Sequence, residues 1–150
     1  MLRSKTCLVD VNVWLALAAE RHEHHRIANR WFQSLGEETA AFCRVSQMGF
    51  LRLLSNPKVL AEDALEPLTA WDTYRRLRRD FRVTFAGEPN GLEALWVNLV
   101  RVSPTQASWT DAYLAAMAIG CEYRLVTFDR GFRRWKQLRL ELLSPYAHAR

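Results

Sequence analysis

Short apolar runs alternate with amphipathic stretches along this chain, and that alternation predicts its elements. Thr6–Val9 reads as a buried strand ending on Asp10, and Asn12–Ala19 has the apolar spacing of a helix. His25–Leu35 places Ile27, Trp31 and Leu35 on one helical face, with Gly36 as a natural stop. Ala40–Cys43 is a second short strand; Ser46 is expected to cap a helix through Leu54, which Asn56-Pro57 terminates. Leu65–Arg79 predicts a longer amphipathic helix, Phe81–Phe85 a strand, and Gly87–Asn90 a turn. Leu92–Val100 is helical, and a further helix runs from Ser108 to about Ala118, closed by Gly120. Tyr123–Phe128 is the clearest buried strand; Asp129-Arg130-Gly131 turns into a short basic helix, and Leu138–Leu143 predicts a last strand. Strands alternating with helices predict an α/β fold, a single domain over residues 1–150 with a short, mainly parallel central sheet flanked by helices.

Composition narrows the class. A chain of 150 residues, 49% hydrophobic and 25% charged, can bury a core without disulfides. Its three cysteines, Cys7, Cys43 and Cys121, are scattered, which argues against a disulfide framework or a thiolate zinc site and for a reducing cytoplasm. Arg3 and Lys5 precede an apolar stretch, as in a signal peptide, but Asp10 and Asn12 interrupt it. No run reaches the ~18 apolar residues of a membrane span. The net charge of +5 is concentrated in Arg75, Arg76, Arg78, Arg79 and Arg82, and in Arg130, Arg133, Arg134, Lys136 and Arg139. Such clusters suit a phosphate backbone, and Arg52 or Arg130 could neutralise it near a cut; they also suit plain solvated helix faces.

The candidate chemistry lies in three aspartates. In open α/β sheets ligands bind at the carboxyl ends of strands. Asp10 follows the first strand, Asp129 follows Tyr123–Phe128, and Asp111 lies in the first turn of a helix. Each also has a local explanation: a helix cap, a capping box with Ser108, and a turn residue before Gly131. Together at one edge they would repel one another unless a cation sat between them. Magnesium or manganese suits such oxygen ligands and can activate water against a phosphodiester. Thr127, Thr110, Asn12 and Ser46 lie close in sequence and could orient the carboxylates or water.

Three segments carry a family resemblance in the right order. Leu8-Val9-Asp10-Val11-Asn12-Val13-Trp14-Leu15-Ala16, Thr110-Asp111-Ala112-Tyr113-Leu114-Ala115-Ala116-Met117-Ala118 and Leu125-Val126-Thr127-Phe128-Asp129-Arg130-Gly131-Phe132 resemble the acidic motifs of PIN domains. Cys43–Pro57 is similar to the corresponding helix of VapC toxins from type II toxin–antitoxin pairs. The resemblance implies a Mg²⁺- or Mn²⁺-dependent endoribonuclease acting on structured RNA such as tRNA or rRNA. It also implies a homodimer and a VapB-type antitoxin; the short apolar runs separately argue for no membrane partner. The chain departs from the pattern at Gly49, where many PIN domains carry glutamate; Gln47, half a turn away, offers only a neutral oxygen. One firmly bound metal is therefore expected rather than two.

Other readings follow from other residues. A chain without that fourth acid could be a non-catalytic RNA-binding or regulatory module. A phosphatase with Asp10 as nucleophile would want a second aspartate where Asn12 stands. His22, His24 and His25 lack an obvious further ligand for zinc, although the resemblance allows a positioning role near His25. Trp109, beside Thr110 and Asp111, is the tryptophan to test for base stacking. Arg133 and Arg134 join Arg52 and Arg130 as candidate RNA-binding residues.

Overall fold

The computed structural model describes residues 4–105 and 108–144, so Arg3 lies outside the described residues. Five parallel strands form one sheet: β1 (Thr6–Val9), β2 (Thr39–Phe42), β3 (Val83–Phe85), β4 (Arg124–Thr127) and β5 (Leu140–Leu142). Their order is β3-β2-β1-β4-β5, so the chain winds one way from β1 to β3 and then returns to β4 on the other side of β1. The reversal opens a crevice at the carboxyl ends of β1 and β4.

The strands are apolar on both faces because helices cover both. Cys7 and Val9 face a core with Trp14, Phe42, Phe50 and Tyr74, built from α1 (Val11–Ala18), α2 (His25–Gln33), α3 (Arg44–Leu54) and α5 (Pro67–Arg79). Leu8, Ala41 and Leu125 face a second core with Leu99, Leu114, Met117, Phe132 and Trp135, built mainly from α6 (Leu92–Val102) and α7 (Trp109–Cys121). The period-two alternation of strand side chains thus serves two layers of helices. On the first face, the Trp14 and Phe42 rings stack at 3.9 Å, 6° from parallel. Among the described residues, no helix is long and apolar enough to cross a membrane.

Most of the expected elements form, with differences at their ends. Helix α3 starts at Arg44 with Cys43 as its cap, so Ser46 stands at the third helical position rather than at the cap. Its buried hydroxyl accepts from the Cys43 N–H at 2.9 Å and is turned toward its own helix end. Asn56-Pro57 ends α3 but also starts α4 (Pro57–Leu60): the Asn56 carboxamide accepts from the Lys58 N–H, and proline suits a first helical position. Gly120 does not close α7. The helix runs on to Cys121, and the left-handed residue is Glu122, at φ 60°. Gly120 is needed for proximity instead, since a Cβ there would stand 2.6 Å from Pro89 Cγ.

Candidate metal and RNA site

Asp10 is fixed from both strands of the crevice. Its own N–H continues the ladder to the Val126 carbonyl at 2.9 Å, and its carbonyl accepts the first hydrogen bonds of α1. Oδ1 accepts from the Val11 N–H at 2.7 Å, which makes Asp10 the cap of α1. Oδ2 accepts from the Thr127 hydroxyl at 2.7 Å. That hydroxyl in turn accepts from the Asp129 N–H at 3.0 Å. Thr127 is fully buried and therefore couples the ends of β1 and β4 through one oxygen.

Asp111 and Asp129 approach from the other elements. Ser108 caps α7 by accepting from the Asp111 N–H, leaving the Asp111 carboxylate half-buried toward the crevice. Asp129 Oδ1 accepts from the Gly131 N–H at 2.8 Å and stabilises the turn leaving β4. The helix cap at Asp10 and the turn at Asp129 thus form as expected, while at α7 only the Ser108 half of the expected capping box is present. Asp10 and Asp129 each shape their own turn or helix start, and Asp111 lies in the first turn of α7.

Burial first, and neighbouring carboxylates second, raise two of these acids. Asp10 is only 7% exposed, and burial pushes its carboxyl above the ordinary range. The Thr127 hydroxyl and Val11 N–H pull it back, while Asp111 and Asp129 raise it further. Burial also raises Asp111, as does Asp129, against the lowering influence of Arg134. Among the described residues, no three acidic, cysteine or histidine side chains converge closely enough to enclose an ion together. That arrangement fits a hard cation that keeps several waters and takes only one or two carboxylates directly. Asp10 and Asp111 could then be direct ligands. Asp129, with Oδ1 bonded to Gly131, could join them through its other oxygen or through water.

The remaining candidates divide by surroundings. Asn12 and Thr110 are exposed, and the Ser46 hydroxyl bonds within the Cys43 cap, not to an aspartate. Arg52, Arg130 and Arg133 are exposed, whereas Arg134 is tucked in, with Nη2 3.9 Å from Asp111 Oδ2. Gln47 offers no spare oxygen to the crevice, because it is buried and its Oε1 accepts from Arg44 at 2.6 Å. At Gly49 a Cβ would stand 3.0 Å from Val11 Cγ2, a tight contact with the residue beside Asp10. Part of the first arginine cluster is structural. Arg82 pairs with Asp80 at 2.8 Å, and Arg78 donates to the Tyr74 hydroxyl.

The histidines turn out to be local. His25 Nδ1 donates to the Ala16 carbonyl, and His22 Nδ1 accepts from the His24 N–H. The His24 ring stacks on Phe128 at 4.8 Å, which sets the α1–α2 loop beside the crevice. No sequence pattern had paired these two residues. Trp109 is 60% exposed, and its backbone carbonyl accepts from the Trp96 indole N–H. Two positions along a helix diverge, so Trp109 leans to α6 while Asp111 faces Arg134.

With this geometry in place, comparison with known proteins is specific. A family profile described as PIN domain matches residues 7–138. Ribonuclease VapC41 of Mycobacterium tuberculosis is 43% identical over 143 residues, covering 91% of this chain and 98% of that protein. The fold is similar to VapBC2 from Rickettsia felis, solved on a DNA fragment from their promoter, with TM-score 0.70 and 13% identity over 93% of this chain and 99% of that one. It is also similar to the Mycobacterium tuberculosis VapC20 toxin, described as cleaving the sarcin–ricin loop, with TM-score 0.62 and 21% identity over 85% and 92%.

Proposed function

The chain belongs to the PIN-domain family, and from that premise we propose that it is a VapC-type toxin, a ribonuclease whose site is Asp10, Asp111 and Asp129. The observation that supports the site is the burial of Asp10 at the end of β1, with Asp111 and Asp129 near enough to raise its carboxyl further. Their oxygens fit Mg²⁺ or Mn²⁺, which when bound supplies charge at the scissile phosphate and makes water a stronger nucleophile.

The chain's own residues do the rest. Asp10 is held rigid by Val11 and Thr127, so its carboxylate keeps one orientation through the reaction. Thr127 ties Asp10 to the turn that carries Asp129. Exposed Arg52, Arg130 and Arg133 are free to take backbone phosphates, which position RNA without reading its sequence.

The sarcin–ricin loop attributed to VapC20 makes structured ribosomal or transfer RNA the first substrate class to test. A VapB-type antitoxin is the proposed partner, in line with the VapBC assembly of the Rickettsia neighbour, and its RNA target sets the cytoplasm as the place of action. A homodimer is in keeping with Met48 of α3 and with Leu68 and Trp71 of α5, large apolar side chains left exposed. The test is induction of the wild-type chain and of Asp10→Asn and Asp111→Asn, with RNA 5′ ends mapped and Mn²⁺-stimulated cleavage followed on purified protein. New ends should appear with the wild type alone. Full toxicity of both variants would sink the assignment, and RNA binding without metal-stimulated cutting would favour a non-catalytic module, the reading that Gly49 keeps open.

A further inference from the structure

Arg134 differs from the other arginines of its segment. Arg130 and Arg133 are exposed, while 17% of the Arg134 side chain is accessible. Its guanidinium lies 4.0 Å over the Trp135 ring, and Nη1 donates to the Gly131 carbonyl at 2.9 Å. Gly131 makes room for this: a Cβ there would stand 3.1 Å from Nη1 and 3.0 Å from Asp129 Oδ1. The opposite edge of the guanidinium, Nε–H with Nη2–H, is buried and has no hydrogen-bond partner. That edge is the one that grips a carboxylate with two parallel bonds. Nη2 stops 3.9 Å from Asp111 Oδ2, inside ion-pair range and beyond hydrogen-bond length.

A buried donor pair without an acceptor is costly to keep, and here it faces the acidic crevice. We infer that Arg134 is a resident counter-cation of the site. Its free edge lies in ion-pair range of Asp111, so it offsets the Asp111 charge that a divalent ion would otherwise neutralise. The ion therefore competes with a guanidinium, and Arg134 sets the metal affinity as a positioning residue for Asp111. This rests on the metal reading proposed above. A bland staple of the turn would need only the Gly131 bond and the Trp135 contact, both of which leave the free edge unexplained.

The experiment is calorimetric titration of Mn²⁺ into the full chain without RNA. Arg134→Gln keeps an N–H for Gly131 and removes the charge, and Arg134→Met keeps the apolar stem over Trp135. Both should bind Mn²⁺ roughly five- to tenfold more tightly than the wild type, as expected when a nearby positive charge is removed. Unchanged or weaker affinity overturns the inference. A second arm uses thermal unfolding in EDTA of Arg134→Gln, Asp111→Asn and the double variant. Non-additive shifts support the ion pair, and additive shifts overturn it. A wild type that takes up no Mn²⁺ overturns the metal reading and the competition with it, while the EDTA cycle reports on the pair by itself.

Discussion

The two ends of the sheet handle charge in opposite ways. Where the strands begin, Arg124 of β4 meets Glu38 and Glu141, each at 2.7 Å. These carboxylates are 39% and 34% exposed, so water screens whatever charge the guanidinium leaves over. Where β1 and β4 end, Asp10 and Asp129 have no such partner among the described residues, and the Arg134 guanidinium stops 3.9 Å from Asp111, beyond hydrogen-bond length. The residue types are nearly the same. Contact, rather than the number of charges, separates a structural cluster from one that still calls for a cation.

Substitutions at each end can break that comparison. The largest effect is expected from Asp10→Asn, which should lower RNA cleavage by at least about a hundredfold. It should leave the unfolding midpoint in urea unchanged or higher, because it removes a carboxylate that burial disfavours. Thr127→Val should lower Mn²⁺ affinity about 10- to 100-fold, measured by titration, since it frees the carboxylate that the hydroxyl orients. At the other end, Arg124→Met should cost roughly 1–2 kcal/mol of stability after allowance for screening, with cleavage per folded molecule unchanged. Lost activity there, in a folded protein, would erase the distinction.

The pH dependence of stability sharpens it further. Asp10 and Asp111 are raised in the folded state, so they bind protons more tightly folded than unfolded. In EDTA, acidification from neutral pH through their raised range should therefore stabilise the wild type relative to Asp10→Asn, most fully below the unfolded carboxylate value. Asp80 is lowered, chiefly by its hydrogen bond with Arg82, and carries the opposite sign. Its contribution is present above the unfolded value and disappears as pH falls through the folded one. Asp80→Asn, the smallest effect, should cost at most about 1 kcal/mol at neutral pH by urea titration.

Much of this was legible in the chain. Thr6–Val9 and the segment before Asp129 announce buried strands ending on polar residues, whereas the strand order that sets them side by side is seen only in the structure. Thr127 was readable because it stands between a strand and an acid. Other features depend on tertiary neighbours that no local pattern encodes. Gln47 looks free until Arg44 takes its oxygen, and Arg134 looks like its exposed neighbours until Trp135 and Gly131 draw it inward. Gly120 illustrates a further limit: a helix stop and a close contact both call for glycine, and only Pro89 shows which applies. Asn56-Pro57 is a stop and a start at once, and the sequence reading took only the stop.

The contact between Gly49 and Val11 constrains how this protein could change. Val11 supplies the N–H that holds Asp10 Oδ1, and its side chain occupies the space a Cβ at position 49 would enter. A glutamate introduced at 49 alone would press on the residue that orients the buried acid, trading one ligand for the alignment of another. The two positions are therefore coupled through one tight contact. Shrinking Val11 relieves that contact and makes room for a fourth carboxylate, whereas a change at Gly49 alone asks Val11 to give way beside Asp10.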